Sequence, residues 1–157
     1  MLAELVELID RYGWAVRHVG AGDQPDEAAF SYTVGLTAFD HPEIVVAGMP
    51  FEHSQGFLNL IGSLVRDGRT FLHGTTTRDL TDGAYVAFVT VTDNAGLTAV
   101  EQIYGSVKAL QMIWPDSRGK MPWDHGYKNG PLAQPFLGPL PDHWDAHDGS
   151  PPSQTTD

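Results

Sequence analysis

The sequence predicts one α+β domain: a mainly antiparallel sheet, about three helices packed on it, and an irregular proline-rich C-terminus. Three observations carry this expectation. Apolar residues recur at helical spacing in three separate stretches, and five other segments alternate with period two or run β-branched. Eight of the eleven prolines fall from Pro115 onward, and neither Lys nor Arg occurs after Lys128. A chain of 157 residues, 41% hydrophobic and 18% charged, is long and apolar enough for one core. The expected division is a domain over residues 1–139 and an acidic Pro/Ser/Asp-rich tail over 140–157, poorly ordered by its composition.

The elements follow in order. Leu2, Leu5, Val6 and Ile9 alternate with Glu4, Glu7 and Asp10 as an amphipathic helix that Gly13 stops. Residues 14–19 read as a strand and 20–28 as a polar loop. Phe30, Tyr32, Val34 and Leu36 then share one face of a strand whose other face, Ser31, Thr33, Gly35 and Thr37, is small and polar. Residues 43–49 are apolar on both faces and suit a central strand closed by Pro50. Phe57, Leu60, Ile61, Leu64 and Val65 form the stripe of a second helix ended by Gly68. Residues 69–73 and 84–92 read as antiparallel neighbours, the second after an Asp82-Gly83 turn. Thr98 and Glu101 have capping-box spacing, and Val100, Ile103, Tyr104, Val107, Leu110 and Met112 continue a third helix as far as Pro115.

Composition excludes several chemistries. Without cysteine there are no disulfides, thiolate metal sites or cysteine nucleophiles, which points to a reducing, cytoplasmic setting. The N-terminal stretch lacks a basic region and no apolar run nears the ~20 residues that span a bilayer. Nine basic against twenty acidic residues give a net charge of −11, which disfavours nucleic acid and anionic membranes and suits a basic protein partner. Walker, dinucleotide-binding, H-E-x-x-H and G-x-S-x-G motifs are all missing, which moves weight from enzyme to binder.

Three stretches carry a resemblance: FSYTVGLT at 30–37 with His41, Pro42 and Glu43; residues 109–116, ending Trp114-Pro115-Asp116; and residues 119–124, ending Pro122-Trp123-Asp124. Together they resemble the bacterial and phage family called domain of unknown function 4262, which brings no activity with it. A second likeness, of residues 33–39 followed by 42–46, is to flavin-reductase-type split β-barrels. It implies a partly open, split-barrel-like sheet in which Thr33, Gly35 and Thr37 offer hydroxyls and backbone N–H groups to the phosphate of FMN or another flat nucleotide.

The residues themselves offer further constellations. His41 and Glu43, two apart, point to one side of an extended chain and could share a proton; alternatively they fix the turn into the next strand. Trp114, Asp116 and Trp123 could line a pocket for a flat or cationic ligand, or pin an irregular C-terminal wrap. His143 and His147 have the i, i+4 spacing of metal ligands, with Asp145 nearby, but lie in the acidic tail, so no metal site is expected. The resulting expectation is a small-ligand-binding domain lined by residues 33–43 with Trp114, Asp116 and Trp123, a flavin or nucleotide being the first ligand. The alternatives are an acidic inhibitor-like interaction protein with no small ligand, and an acid–base enzyme using His41 and Glu43. Pairing of sheet edges into a homodimer is expected by analogy with such barrels.

Overall fold

The computed structural model describes residues 2–81, 83–130 and 132–142. In chain order the elements are α1 (Leu2–Tyr12), β1 (Ala15–Val19), β2 (Phe30–Val34), a 3-10 turn (Leu36–Phe39), β3 (Glu43–Ala47), α2 (Phe51–Arg66), β4 (Thr75–Thr77), β5 (Val86–Thr90), α3 (Thr98–Tyr104) and β6 (Ala109–Ile113). The strands form one open sheet in the order β1-β2-β3-β6-β5-β4. Every neighbouring pair is antiparallel except β3 and β6, which run parallel with Glu43 opposite Ala109. This is an α+β domain with a mostly antiparallel sheet, and β1 and β4 are its edges. No described helix is long and apolar enough to cross a membrane.

The two central strands are buried at every position, as a continuous apolar run demands. Ile44, Val46, Leu110, Met112, Val86 and Phe88 join one core with Leu58, Ile61 and Val65 of α2. Alternate residues build the opposite face, where Tyr32, Val34, Val45 and Ala109 pack with Leu97, Ala99 and Val100 at α3. A third cluster joins Ala87, Val89 and Ile113 to Met121 and Trp123.

Six expectations need correction. The third helix stops at Tyr104, because Gly105 turns left-handed at φ 80° and its N–H closes on the Glu101 carbonyl. Residues 109–113, expected to continue that helix, are the central strand β6; a short run buried on both sides carries no periodicity to separate strand from helix. The capping box does not form either: Leu97 is the N-cap, and the Ala99 N–H donates to the Tyr32 hydroxyl at 3.3 Å. Residues 69–73 are a loop, and β4 lies just beyond, at Thr75–Thr77, paired antiparallel to β5.

On α2 the buried stripe is Ser54, Leu58, Ile61, Gly62 and Val65, while Leu60 is 40% exposed. Gly62 sets this rotation, since a Cβ there would meet the Trp14 indole at 2.4 Å. Finally, Leu36 leaves the face of Tyr32 and Val34 for the α2 core. Gly35, at φ 136°, redirects the chain into the 3-10 turn, and any Cβ on it would lie 2.5 Å from the Gly13 carbonyl oxygen.

Among the described residues, 114–141 contain no helix or strand, yet two buried glutamines fix this segment. Gln111 donates from Nε2 to the Pro135 carbonyl and accepts the Leu137 N–H, both at 2.8 Å. Gln134 accepts the Trp114 N–H at 3.1 Å and donates to the Trp114 carbonyl at 2.5 Å. Within the expected tail, Leu140 packs against the third cluster. His143, Asp145 and His147 lie outside the described residues.

Candidate functional site

Glu43 organises the region where the sequence placed a ligand. Its side chain is fully buried at the start of β3. One oxygen accepts the Thr33 hydroxyl at 2.8 Å and the Leu36 N–H at 3.0 Å. The other accepts the Gly35 N–H at 3.1 Å, the Thr37 N–H at 2.9 Å and the Thr37 hydroxyl at 2.6 Å. The strained turn at Gly35 thus makes a nest of donors, as small residues in this pattern can. The anion in that nest is the chain's own carboxylate. The Thr33 hydroxyl oxygen also accepts the Ile44 N–H at 2.9 Å, tying β2 to β3. Burial, and then the negative charge of Glu43, push the Tyr104 hydroxyl above its ordinary 10.0.

His41 is buried beside this nest, and its hydrogen bonds run elsewhere. Nε2 accepts the Phe71 N–H at 2.9 Å, which leaves the proton on Nδ1, 2.8 Å from the Pro42 carbonyl. His41 therefore holds the 69–73 loop against the sheet.

The second group of expected residues lies at the far end of the parallel pair. Trp114 follows β6 directly, and its indole N–H donates to the Ala47 carbonyl, the last residue of β3, at 2.9 Å. Five residues of strand, roughly 16 Å, separate it from the level of Glu43. Thr33, Gly35, Thr37 and Glu43 come together; Trp114, Asp116 and Trp123 do not join them.

Asp116 is a second carboxylate hub. Its oxygens accept the N–H groups of Arg118 and Lys120 at 2.9 Å and of Lys128 at 2.7 Å, folding residues 116–128 around it. Burial pushes its pKa up, but the N–H groups of Lys120, Lys128 and Arg118, with the Arg118 charge, outweigh burial and hold it below the ordinary 3.8. Trp123 is buried under the wrap with Met121 and Ile113. Among the described residues no three His, Asp or Glu side chains gather as a metal-ligand group.

A separate concavity lies on the α3 side of the sheet. A cavity of about 350 Å³ opens between the β1–β2 loop, the β5–α3 loop and the C-terminal wrap. Val19, Phe30, Ala47, Leu97, Pro135 and Leu137 give it apolar walls, and Gly20, Gly22 and Gly96 keep its entrance small-sided. Three carboxylates, Asp26, Glu27 and Asp93, are its charged residues. The frame is hydrogen-bonded: the Thr92 and Asp93 N–H groups both donate to the Leu137 carbonyl, at 2.8 and 2.9 Å, and the Gly48 N–H donates to Ala29 at 2.8 Å. Glu27 shapes its own loop, accepting the Gln24 N–H at 3.0 Å. Sequence reasoning missed this cavity because it read 20–28 only as a polar loop and gave 93–97 no role. Their Gly/Asp content was visible; their meeting depends on strand order.

A search of curated proteins and a search of solved structures each found no match. A family described as domain of unknown function (DUF4262) matches residues 8–128, more than three quarters of the chain, a span holding the Glu43 nest, the Trp114-Pro115-Asp116 end of β6 and the Pro122-Trp123-Asp124 turn; the protein belongs to that family.

Proposed function

We propose that this domain binds a small, flat, mostly apolar molecule carrying a positive charge, in the cavity between the β1–β2 loop, the β5–α3 loop and the C-terminal wrap. The observation that carries the reading is the cavity: about 350 Å³, apolar in its walls and edged by Asp26, Glu27 and Asp93 with no Lys, Arg or His among its lining residues. Ligand pockets combine that size with an apolar lining and a few polar groups that select the ligand. An aromatic ring burying about 150 Å² gains roughly 4 kcal/mol, and a carboxylate pairing at the rim adds up to about 1 kcal/mol. A simple aryl amine should therefore bind with a Kd of roughly 0.1–1 mM. FMN, the flat ligand implied by the likeness to split β-barrels, would meet the same three carboxylates with its phosphate.

Calorimetric titration of 2-naphthylmethylamine and of 2-naphthoate, equal in ring and opposite in charge, tests this. The amine should bind at least tenfold tighter, and Asp93→Lys should reverse or erase that preference. Equal binding of both, unaffected by Asp93→Lys, would contradict the reading. A second reading takes the same carboxylates and the net charge of −11 as a socket for a basic side chain of a protein partner. It predicts no saturable binding of the amine alone.

A further inference from the structure

A different cleft has the opposite character. Between α1, the start of β1 and α2, a cavity of about 520 Å³ is lined by Arg11, Arg66, Tyr12, Trp14, Asn59 and Leu8, with Ala15, Val16 and Gln55. In a chain of nine basic and twenty acidic residues, its lining holds two arginines and no carboxylate. Both guanidinium groups sit over aromatic faces: Arg66 lies 5.4 Å from the Trp14 ring and Arg11 5.9 Å from that of Tyr12. Their ion pairs are loose and solvent-exposed, Arg11 to Glu7 at 3.5 Å and Arg66 to Asp67 at 3.6 Å. Exposed pairs of this kind are worth ~0–1 kcal/mol, so exchanging them for an incoming anion costs little, whereas a phosphate or carboxylate can be gripped bidentately.

The rest of the cleft suits a ring. Tyr12 and Leu8, one helical turn apart on α1, are 55% and 42% exposed. Trp14 is fixed in the same lining, its indole N–H donating to Asn59 Oδ1 at 3.0 Å and its ring seated on Gly62. The anchored indole, the exposed phenol and the two cations come from the α1–β1 connection, α1 and α2.

We propose that this cleft is a second ligand site, selective for a flat aromatic anion of the mononucleotide class, independent of the acid-edged cavity. The anion pairs with Arg11 and Arg66, and the ring lies on Tyr12 and Leu8. The test is titration of adenosine 5′-monophosphate into the full-length protein, read by calorimetry and by the Trp14 indole N–H resonance. Wild type should bind with the Trp14 signal shifting, adenosine and inorganic phosphate should each bind at least tenfold more weakly, and Arg11→Gln/Arg66→Gln should lose at least tenfold in affinity with an unchanged circular-dichroism spectrum. Asp93→Lys, which alters the other cavity, should leave the affinity within twofold. Absence of binding at 10 mM, equal affinity of inorganic phosphate, or unchanged affinity in the double variant would each overturn the proposal.

Discussion

The Glu43 nest and the acid-edged cavity are both built from carboxylates, glycines and loop backbone, and they differ in where their hydrogen bonds go. Five donors converge on the buried Glu43 from Thr33, Gly35, Leu36 and Thr37. At the cavity, Asp26 and Asp93 are exposed, and beneath them lies apolar wall. A polar cluster whose capacity is filled from inside holds the fold; a charged edge over an apolar hollow can still take a partner. Residue type alone does not separate the two.

Glu43→Ala has the largest expected effect. Removing the acceptor of five donors should cost on the order of 4 kcal/mol, and lower Tm by roughly 8–16 °C in thermal unfolding. A Tm within 2 °C of wild type would show that the nest is not structural. Gln111→Leu tests the frame of the cavity, because it leaves the Pro135 carbonyl and Leu137 N–H without their side-chain partner. A loss of about 2 kcal/mol in urea unfolding is expected, together with weaker amine binding.

Asp116→Asn should have the smallest effect, and a pH-dependent one. Because the folded pKa is depressed, the stabilisation from ionised Asp116 is complete above the unfolded value and is lost as pH falls through the folded value. The Asn variant should therefore be less stable at neutral pH and lose less stability between pH 5 and about pH 2, as urea midpoints at several pH values would show.

Much of the fold was legible in the sequence where pattern and burial agree. The first two helices, the strands at 15–19, 30–34, 43–47 and 86–90, and the glycine stops at Gly13 and Gly68 follow from local periodicity. Strand β6 was misread because Leu110 and Met112 extend the spacing of Val100, Ile103 and Val107, and only Gly105 marked the break. The Thr33–Glu43 grouping was also legible, since it is local in sequence. So was a turn-fixing role for Glu43, the alternative the sequence offered; that the nest encloses its carboxylate depends on the Gly35 turn and on the pairing of β2 with β3. The grouping of Trp114 with that segment failed because β3 and β6 run parallel, which sets the two at opposite strand ends. The cavity joins residues 19–30 to residues 93–97 and 135–137, a long-range meeting with no motif to announce it.

The most direct measurement is a ¹H–¹⁵N NMR titration of 2-naphthylmethylamine into wild type and into Gly20→Trp, which adds an indole to the cavity lining at a position with nothing within 4 Å of a Cβ. Saturable shifts are expected at Gly20, Ala28, Gly96, Leu97 and Leu137 in wild type, with silence at Gly35, Leu36 and Thr37, and loss of all saturable shifts in Gly20→Trp at unchanged stability. Shifts centred on the 35–37 turn, or identical titrations of the two proteins, would contradict binding in this cavity.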